Sequence, residues 1–578
     1  MTDSQTAPKP IPGHLARLAR HGYGLLALIC LLLWLPGLLS LPALDRDESR
    51  FAQSSRQMLD SGNYVDIRFG QVPRYKKPVG IYWLQAAATT VAGSLNRDGH
   101  ADGHIWTYRL PSLLGGVAAV WLTCWLGSLF SAEAGLLAGL MMAASLLLAA
   151  EAIMATTDAV QLAAITLMQG VLLRTYRAVK EGREQPSTWV VLAGWAGLAI
   201  GILVKGPVAP AVAAATIVVL CAWDRDWKWL KQTKPLTGIA LTILITAPWG
   251  LAIALESHGA FFQQSLGGDF AAKVAGGQEG HGAPPGYYLL LSVLTFWPAI
   301  LFVLPGMAQA LTRKTEPLTR FLIVWAGAWW LAVELVPTKL PNYVLPAFPP
   351  LAILASLWLL APKAEQGWRS YLPFIAALQF LLGLCAIAVA PLLLPKYYAL
   401  LSPDLFDNVP LVLAAGAAGL SGLIAISFIL TGRRLMAFAP AIIAAVILIP
   451  VLSAWSGPGL DRLWVSQRLA ALVAKNRGPG DPPPMLAGYE EPSLVFALGA
   501  DVDLTDGRGA AERGAQLGGL VLVDDEERPQ FLARLAEVQA AATMLDDLSG
   551  FNYSRGRATH VTLYRVAPLG LQSIPQAR

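Results

Sequence analysis

Charged side chains are scarce in this sequence. Only 14% of its 578 residues are Asp, Glu, Lys or Arg, against about 25% in ordinary soluble domains. The 43 basic and 38 acidic residues are too few to cover the surface of a water-soluble protein of this length. The formal net charge of +5 is also small, so nothing indicates a nucleic-acid-binding tail. A soluble globular protein is therefore excluded, and no nucleic acid is expected as a partner.

Cysteine is scarce as well, with four residues in the whole chain. Cys30, Cys124, Cys221 and Cys385 all lie inside apolar runs rather than in loops. Such positions argue against a disulfide framework or a zinc cluster. We expect the four side chains to be buried or to face lipid.

Apolar residues are abundant, at 55% of the chain, and the mean hydropathy is +0.51. The first apolar run, 23–41, is long enough to cross a hydrocarbon core of about 30 Å. Further runs are centred near residues 119, 142, 166, 197, 215, 245, 297, 327, 351, 382, 420 and 446. Together they predict an α-helical polytopic membrane protein with about thirteen transmembrane helices.

The placement of Lys and Arg predicts the orientation of the spans. Five connecting segments are basic: 174–183, 225–234, 313–320, 363–369 and 433–434. They share the cytoplasmic side only if the marginal apolar run 79–95 lies along the membrane surface instead of crossing it. Residues 1–22 are then cytoplasmic, and the loops 43–107 and 256–285 are periplasmic. The first of these loops would carry juxtamembrane helices.

The chain is predicted to consist of a transmembrane domain, 23–456, and a soluble periplasmic domain, 457–578. In the second domain a Pro/Gly-rich linker at 478–484 precedes short apolar runs. Strand-like runs lie at 485–488, 493–498, 519–523 and 560–566, with an amphipathic helix near 529–542. This pattern predicts a small α/β domain. Because no glycine-rich phosphate-binding motif follows its strands, no nucleotide cofactor is assigned to it.

Two polar clusters lie in the first periplasmic loop. Asp47, Glu48 and Arg50 come directly after the first span. Carboxylates there could act on a substrate at the membrane surface, or could simply begin a solvated helix, since acidic residues favour helix N-termini. Farther along, the segment containing Arg74, Lys76 and Lys77 could hold a phosphate or could reach towards lipid headgroups.

Further ionisable residues lie at the predicted outer ends of later spans, namely Asp158, Lys205 and Lys339 with the nearby Tyr343. An ionisable group at bilayer depth costs roughly 2.5–3.5 kcal/mol on insertion scales, so such groups tend to line a cavity. We therefore expect one outer-leaflet cavity that contains both carboxylates and cations. A carboxylate could take a proton from an acceptor, while cations stabilise a leaving phosphate.

The glycine-rich loop 256–285 could close over this cavity as a lid. It carries His281, although a single His in such a loop is more often solvated than catalytic. A divalent metal is left open as a cofactor, because Asp47, Glu48, Glu279 and His281 have ligand side chains. No spacing typical of a metal site supports it, however.

Eight motifs occur in order along almost the whole chain. They are DESRFAQSSRQMLDSGNYV (47–65), RYKKPVGIYWLQ (74–85), YRLPS (108–112), TTDA (156–159), VKGP (204–207), HGAPPGYY (281–288), TKLPNYVLP (338–346) and GYEEPSLVFALG (488–499). In these motifs the chain resembles the C-type glycosyltransferases, polytopic enzymes that use polyprenyl-phosphate-linked sugars. The resemblance is to the branch with the lipid A aminoarabinose transferases and related bacterial members of the protein O-mannosyltransferase superfamily.

The resemblance implies the C-type glycosyltransferase fold and an inverting transfer at the outer face of the bacterial inner membrane. Asp47 would be the general base, with Asp158 as a second catalytic carboxylate. Substrate and lipid phosphate would be held by Glu48, Arg50, Arg74, Lys76, Lys77, Lys205, His281, Lys339 and Tyr343. The expected partners are a polyprenyl-phosphate-sugar donor, a lipid A, glycan or protein acceptor and the bilayer, with the enzyme acting as a monomer.

The sugar is not assigned, because Lys76 stands where relatives of the aminoarabinose enzyme often carry an acidic residue. Three alternative functions also stay open at this point. Protein O-glycosylation with the same donor is the nearest rival activity. A lipid or solute transporter would also place ionisable groups inside the membrane, and a membrane scaffold would leave the one-sided charges unexplained.

Overall fold

A computed structural model describes residues 13–96, 101–272, 282–362, 370–397, 409–499 and 502–568. Nineteen helices precede the C-terminal domain in these residues. They are α1 (Gly13–Arg20), α2 (Gly22–Ser40), α3 (Asp47–Ser61), α4 (Gly80–Asn96), α5 (Ile105–Gly127), α6 (Ala132–Ala143), α7 (Leu146–Ala152), α8 (Asp158–Glu181), α9 (Thr188–Lys205), α10 (Val208–Asp224), α11 (Pro235–Glu256), α12 (Ala260–Phe262), α13 (Tyr287–Thr295), α14 (Ile300–Thr312), α15 (Pro317–Leu335), α16 (Phe348–Leu360), α17 (Leu372–Tyr397), α18 (Val409–Leu430) and α19 (Arg434–Val451). A short antiparallel hairpin, β1 (Arg68–Phe69) and β2 (Val72–Pro73), lies between α3 and α4.

Every predicted apolar run lies in or beside one of these helices. Within the described ranges, nine helices are long and apolar enough to cross a membrane, and α6 with α7 would make a tenth if that pair, bent by 66°, counts as one span. Helices α10 and α14 are apolar but shorter. The predicted run near residue 297 falls at the break between α13 and α14. The number thirteen stays a prediction, because hydropathy alone does not show where a helix bends or breaks.

Helix α4 corresponds to the run that was expected to lie along the membrane surface. It has 17 residues and is not one of the long spanning helices. It packs against α3, α5 and α9. The first loop therefore folds onto the membrane helices as two helices, α3 and α4, joined by the hairpin.

The C-terminal domain is built on a five-stranded sheet. Its strands are β3 (Met485–Ala487), β4 (Asp503–Thr505), β5 (Gly519–Asp524), β6 (Ala542–Asn552) and β7 (Arg557–Val566), in the order β4-β3-β5-β7-β6. β3, β4 and β5 are parallel, whereas β7 runs antiparallel to both β5 and β6. Its helices are α20 (Val465–Asn476), α21 (Pro492–Leu498), α22 (Gly507–Leu517) and α23 (Arg528–Glu537). Separate apolar clusters cover the two faces of the sheet.

One predicted strand in this domain is wrong. The run 493–498 forms helix α21 instead. Pro492 occupies its first turn, where the missing N–H costs nothing, and a short apolar run fits a buried helix as well as a strand. The amphipathic helix predicted near 529–542 is α23, which ends earlier, at Glu537.

Glu48, in α3, and Arg109, in α5, form a buried ion pair. Arg109 Nε and Nη2 lie 2.8 and 2.9 Å from the two carboxylate oxygens of Glu48. The Arg109 side chain is fully buried, and that of Glu48 is 2% exposed. Arg109 also donates to three carbonyl oxygens at the C-terminal end of α2, those of Leu38, Leu41 and Pro42.

The same carboxylate holds two backbone amides. The N–H groups of Leu44 and Ala155 each donate to Glu48 at 2.8 Å. Together with Arg109, four hydrogen bonds reach a carboxylate, which offers about four lone-pair directions. The substrate-binding role expected for Glu48 does not fit this geometry, because the side chain is already fully used within the protein. Glu48 instead joins α2, α3, α5 and the segment before α8.

We predict that Glu48→Gln destabilises the fold strongly. Removing one partner of a buried ion pair leaves the other charge uncompensated, at a cost of about 3–5 kcal/mol. Thermal unfolding in detergent should show a clear fall in melting temperature and a lower folded yield. Asp47→Asn is the matched control, because the neighbouring Asp47 side chain is 69% exposed. A melting temperature for Glu48→Gln equal to that of the control would contradict the prediction.

Candidate active site

A cavity of about 670 Å³ opens between the first loop and the membrane helices. Its walls are mostly apolar and come from α8 to α11, from the turn after α12 and from α15 with the segment that follows it. Its polar lining includes five of the predicted site residues, Lys76, Lys77, Asp158, Lys205 and Tyr343. An apolar cavity with a few convergent polar groups is typical of a site for an amphipathic ligand.

Asp158 and Lys205 form an ion pair at the polar end of this cavity. Lys205 Nζ lies 2.5 Å from Asp158 Oδ1, and each side chain is 10% exposed. Asp158 begins α8 and Lys205 ends α9. These positions suit their charges, because helix N-termini favour anions and C-termini favour cations. Gly206 follows at φ +65° and turns the chain towards α10.

Tyr343 lies beside this ion pair. The Lys205 ammonium is 5.8 Å from the centre of the Tyr343 ring. The Tyr343 carbonyl accepts a hydrogen bond from Trp329 Nε1 at 2.9 Å, which fixes this turn against α15. The phenol ring and the ammonium therefore face the same part of the cavity.

A close approach of two backbones brings Lys77 to the same end. A Cβ atom at Gly80, in the first turn of α4, would lie 2.8 Å from the carbonyl atoms of Leu203 in α9. Only glycine allows α4 to pack this near to the last turn of α9. The basic segment before α4, which includes Lys77, therefore lies near Lys205, two residues after Leu203.

Asp47 is the first residue of α3 and is open to solvent. Its side chain is 69% exposed, and Oδ1 lies 3.1 Å from Arg74 Nη2. Arg74 is itself buried, donates to the Tyr82 hydroxyl at 2.7 Å and lies 4.7 Å over the Phe51 ring. Arg74 is therefore held from three sides, so that it orients the Asp47 carboxylate while leaving it accessible.

Glu151, in α7, is a carboxylate that the sequence analysis did not single out. The charges of Asp47, Asp158 and Lys205 all act on it. The Thr156 hydroxyl donates to Glu151 at 2.8 Å, and that of Thr157 lies 3.2 Å from Asp158 Oδ2. Asp47, Asp158, Lys205 and Glu151 therefore form one electrostatic cluster. The TTDA motif could have indicated this cluster from the sequence, because the hydroxyl group of each threonine lies within hydrogen-bonding distance of a carboxylate.

Two other predicted residues lie apart from this cluster. Arg50 is half-buried in α3, one turn after Asp47, and within the described part of the chain no acidic side chain pairs with it. Lys339, expected at the lipid phosphate, instead donates to the Val333 and Glu334 carbonyls at 2.9 and 2.6 Å. This buried ammonium caps the end of α15 and is not part of the cavity lining.

The lid and metal hypotheses fall partly outside the described residues. The structure covers 256–272 and 282–285 of the expected lid, whereas Glu279 and His281 lie in the undescribed stretch 273–281. Gly282 forms an isolated antiparallel bridge with Thr338. Among the residues that are described, no group of three or more His, Cys, Asp or Glu could hold a metal ion.

The C-terminal domain contacts the residues just before Asp47. The Asp45 side chain accepts a hydrogen bond from the Ser493 hydroxyl, and its backbone N–H donates to Tyr553 Oη at 2.7 Å. Asp45 is 9% exposed. Burial raises the pKa of Asp45 to about 6, and the negative charge of Glu491 adds to this shift.

The chain is similar in sequence to known proteins. Residues 76–251 match the family described as dolichyl-phosphate-mannose-protein mannosyltransferase. The undecaprenyl phosphate-alpha-4-amino-4-deoxy-L-arabinose arabinosyl transferase of Erwinia tasmaniensis is 30% identical over 313 residues, 53% of this chain and 54% of the relative. The protein of the same name from Pectobacterium atrosepticum is 27% identical over 371 residues, 61% and 62% of the two chains. The chain thus spans between about half and three fifths of these relatives.

The likeness in fold extends over the whole chain. The crystal structure of ArnT from Cupriavidus metallidurans bound to undecaprenyl phosphate superposes with a TM-score of 0.71 over 96% of this chain and 99% of that chain, at 19% identity. The predicted fold class is confirmed: a polytopic α-helical C-type glycosyltransferase fold with a small C-terminal α/β domain. The resemblance predicted from the motifs is confirmed by the sequence relatives, and the chain is a multi-pass membrane protein with this fold.

We predict that the Asp45 contact makes stability depend on pH. A raised pKa means that the folded state binds this proton more tightly than the unfolded state does. Ionised Asp45 therefore costs stability above pH 6, by up to about 3 kcal/mol, and this cost disappears as the pH falls below 6. Asp45→Asn should melt higher than the wild type at pH 7.5, and the gap should shrink at pH 5. A gap that is constant or grows as the pH falls would contradict this.

Proposed function

We propose that this chain is an inverting glycosyltransferase. It takes a sugar from a polyprenyl-phosphate donor and delivers it to a lipid A-type or other glycan acceptor. The reaction takes place on the outer face of the bacterial inner membrane, with the active site and the C-terminal domain, 457–578, in the periplasm. This orientation rests on the basic connecting segments, which belong on the cytoplasmic side.

The observation that carries the proposal is the polar end of the cavity. An apolar space of about 670 Å³ ends at the Lys205 ammonium, the Asp158 carboxylate and the Tyr343 ring, with Lys76 and Lys77 at its rim. A polyprenyl phosphate has this same division into a long apolar chain and an anionic head. Cations fixed in an apolar setting stabilise the charge that develops on a leaving phosphate.

Asp47 is proposed as the general base. Its exposed carboxylate takes the proton from the acceptor hydroxyl as the acceptor oxygen forms a bond to the anomeric carbon. The bond between that carbon and the phosphate oxygen breaks, and its electron pair leaves with the polyprenyl phosphate. Attack from the side opposite the phosphate inverts the configuration. Arg74 orients the base, and Lys205 and Lys77, which line the cavity, receive the phosphate.

The sequence relatives support a sugar donor linked to a polyprenyl phosphate, since their names include undecaprenyl phosphate and an aminoarabinose. Transfer to protein is the second candidate, because the family matched by 76–251 is described as a protein mannosyltransferase family. The sugar is not assigned. A lysine at position 76, where an acidic residue is often found, adds positive charge beside the donor and would favour an acidic sugar.

The function is tested by deletion and complementation. Deleting the gene should remove one sugar from lipid A, a surface glycan or an exported protein, as measured by mass spectrometry, and should leave the lipid-linked donor to accumulate. Asp47→Asn should fail to restore the sugar, because loss of a general base lowers the rate by about 10²–10⁴-fold. Donor binding should be retained.

Asp102→Asn is the matched control, because Asp102 lies in the same outer loop but pairs with Arg56, away from the cavity. It should restore the sugar. Full restoration by Asp47→Asn would exclude this residue as the base. A deletion strain with unchanged glycans, combined with uptake of a lipid or solute by proteoliposomes that contain the protein, would favour the transporter instead.

We further predict that Lys205→Gln weakens binding of undecaprenyl phosphate about tenfold, because the phosphate loses a fixed cation. Trp249 and Trp329 line the cavity, so quenching of tryptophan fluorescence can report the binding. Lys231→Gln is the control, since Lys231 lies in the turn 228–233, beyond the far end of α10. Equal affinities for the two variants would remove Lys205 from the phosphate site.

A further inference from the structure

The C-terminal domain holds residues 43–46, the last four residues of the connection between α2 and α3, at three of these four positions. Gln467 Nε2 donates to the Ala43 carbonyl at 2.9 Å. Asp45 is held from two directions, by the Ser493 hydroxyl at its carboxylate and by Tyr553 Oη at its backbone N–H. The Arg46 guanidinium donates to the Ser554 carbonyl. The remaining position, Leu44, is held by Glu48.

This connection has a conformation that needs support. Arg46 has φ +63° and ψ −117°, a positive φ outside the small left-handed helical region that L-residues tolerate. Such conformations persist only when the surroundings hold them. Because Arg46 immediately precedes Asp47, its backbone angles set the direction in which α3 starts and the Asp47 carboxylate points.

The contacting part of the domain is itself well fixed. Tyr553 and Ser554 lie in the turn between β6 and β7, next to Asn552. The buried Asn552 side chain donates to Glu491 at 2.7 Å and accepts from the Arg555 N–H at 3.0 Å. Glu491 directly precedes α21, the helix that carries Ser493. The turn and α21 therefore form one unit.

This unit is connected to the last membrane helix. The Tyr553 ring packs edge-to-face on Trp464, with ring centres 6.3 Å apart. Trp464 Nε1 donates to the carbonyl of Gly457 at 2.9 Å, just after α19 and the turn that follows it. Phe496 of α21 also packs on Tyr108 and Ala52, so the unit contacts the side of α3 as well.

We propose that Tyr553 and Ser493 are positioning residues for the transfer reaction: they hold 43–46 in its strained conformation and thereby aim the Asp47 carboxylate. The proposal rests on the role of Asp47 in the proposed function. In this arrangement the C-terminal domain completes the active site from outside without contacting either substrate. Its removal or displacement slows transfer and leaves donor binding intact.

The test uses the full chain with single hydroxyl deletions. Tyr553→Phe removes the acceptor of the Asp45 N–H and keeps the ring on Trp464. Ser493→Ala removes the donor to the Asp45 carboxylate, and Ser493→Thr keeps that hydroxyl. Tyr564→Phe is the matched control, because Tyr564 lies in the same domain and its ring packs on Phe531.

We expect the double variant Tyr553→Phe/Ser493→Ala to lower kcat at least tenfold, with KM for the donor within twofold of wild type and a melting temperature close to that of Tyr564→Phe. Ser493→Thr should restore most of the activity lost in Ser493→Ala. Unchanged kcat in the double variant, or a loss of kcat that Ser493→Thr does not restore, would overturn the proposal.

A second measurement does not depend on catalysis. Hydrogen–deuterium exchange of peptides covering 44–50 should be faster in the double variant and unchanged in Tyr564→Phe. Wild-type exchange rates in the double variant would refute the positioning role even if activity fell. If the wild-type protein transfers no sugar, the proposed function is refuted. Faster exchange in the double variant would even then establish the structural coupling between the C-terminal domain and residues 43–46.

Discussion

The Glu48–Arg109 ion pair is the constraint on which the geometry of the site depends. Its two charges are removed from water, and the cost of this is offset only because every remaining hydrogen-bonding direction is filled by backbone groups. Those groups belong to the end of α2, the start of α3 and the segment before α8. Asp47 and Asp158 lie at the beginnings of α3 and α8, so one buried pair sets the relative position of both carboxylates.

Charge and helix polarity act together around this pair. Asp47 and Asp158 are each the first residue of a helix, and Lys205 is the last residue of one. Each charge thus lies where the helix dipole favours it. This placement lets ionised groups persist beside an apolar cavity, because part of the stabilisation lost with water is supplied by the helix ends. The exposed Asp47 differs from the others in having both a fixed partner, Arg74, and access to solvent, which the proposed role of a base requires.

Much of this arrangement could be predicted from the sequence, and the reason is the scarcity of charge. In a chain that is mostly apolar, Asp158 and Lys205 stood out because each lies at the edge of a span, and the Arg74–Lys77 segment stood out because it precedes the run expected to lie along the membrane surface. The fold class followed from hydropathy and from the ordered motifs. Pairings between distant residues were not accessible in this way. Arg109 lies 61 positions after Glu48, and nothing in one sequence shows that a motif arginine and a loop carboxylate meet.

Local sequence was also ambiguous where two structures satisfy the same pattern. By its sequence context Lys339 was expected to bind phosphate. In the structure its ammonium donates to the carbonyl oxygens at the end of α15. The apolar run 493–498 fits a strand by composition but forms a helix because Pro492 starts one. In both places the deciding contact comes from a neighbouring element or a helix end, not from the residue type.

The contact between the C-terminal domain and residues 43–46 links the last part of the chain to the start of the first loop. From the last membrane helix, contacts run through Trp464 to Tyr553, then to Asp45, and so to the residue before Asp47. A strained residue such as Arg46 would relax if it were held only by its own helix, because a helix N-terminus offers its first residues no backbone partner. A domain anchored both to the last span and to the side of α3 supplies that partner from outside the membrane. This gives a physical reason why the C-terminal domain can matter to the proposed reaction although none of its described residues lines the cavity.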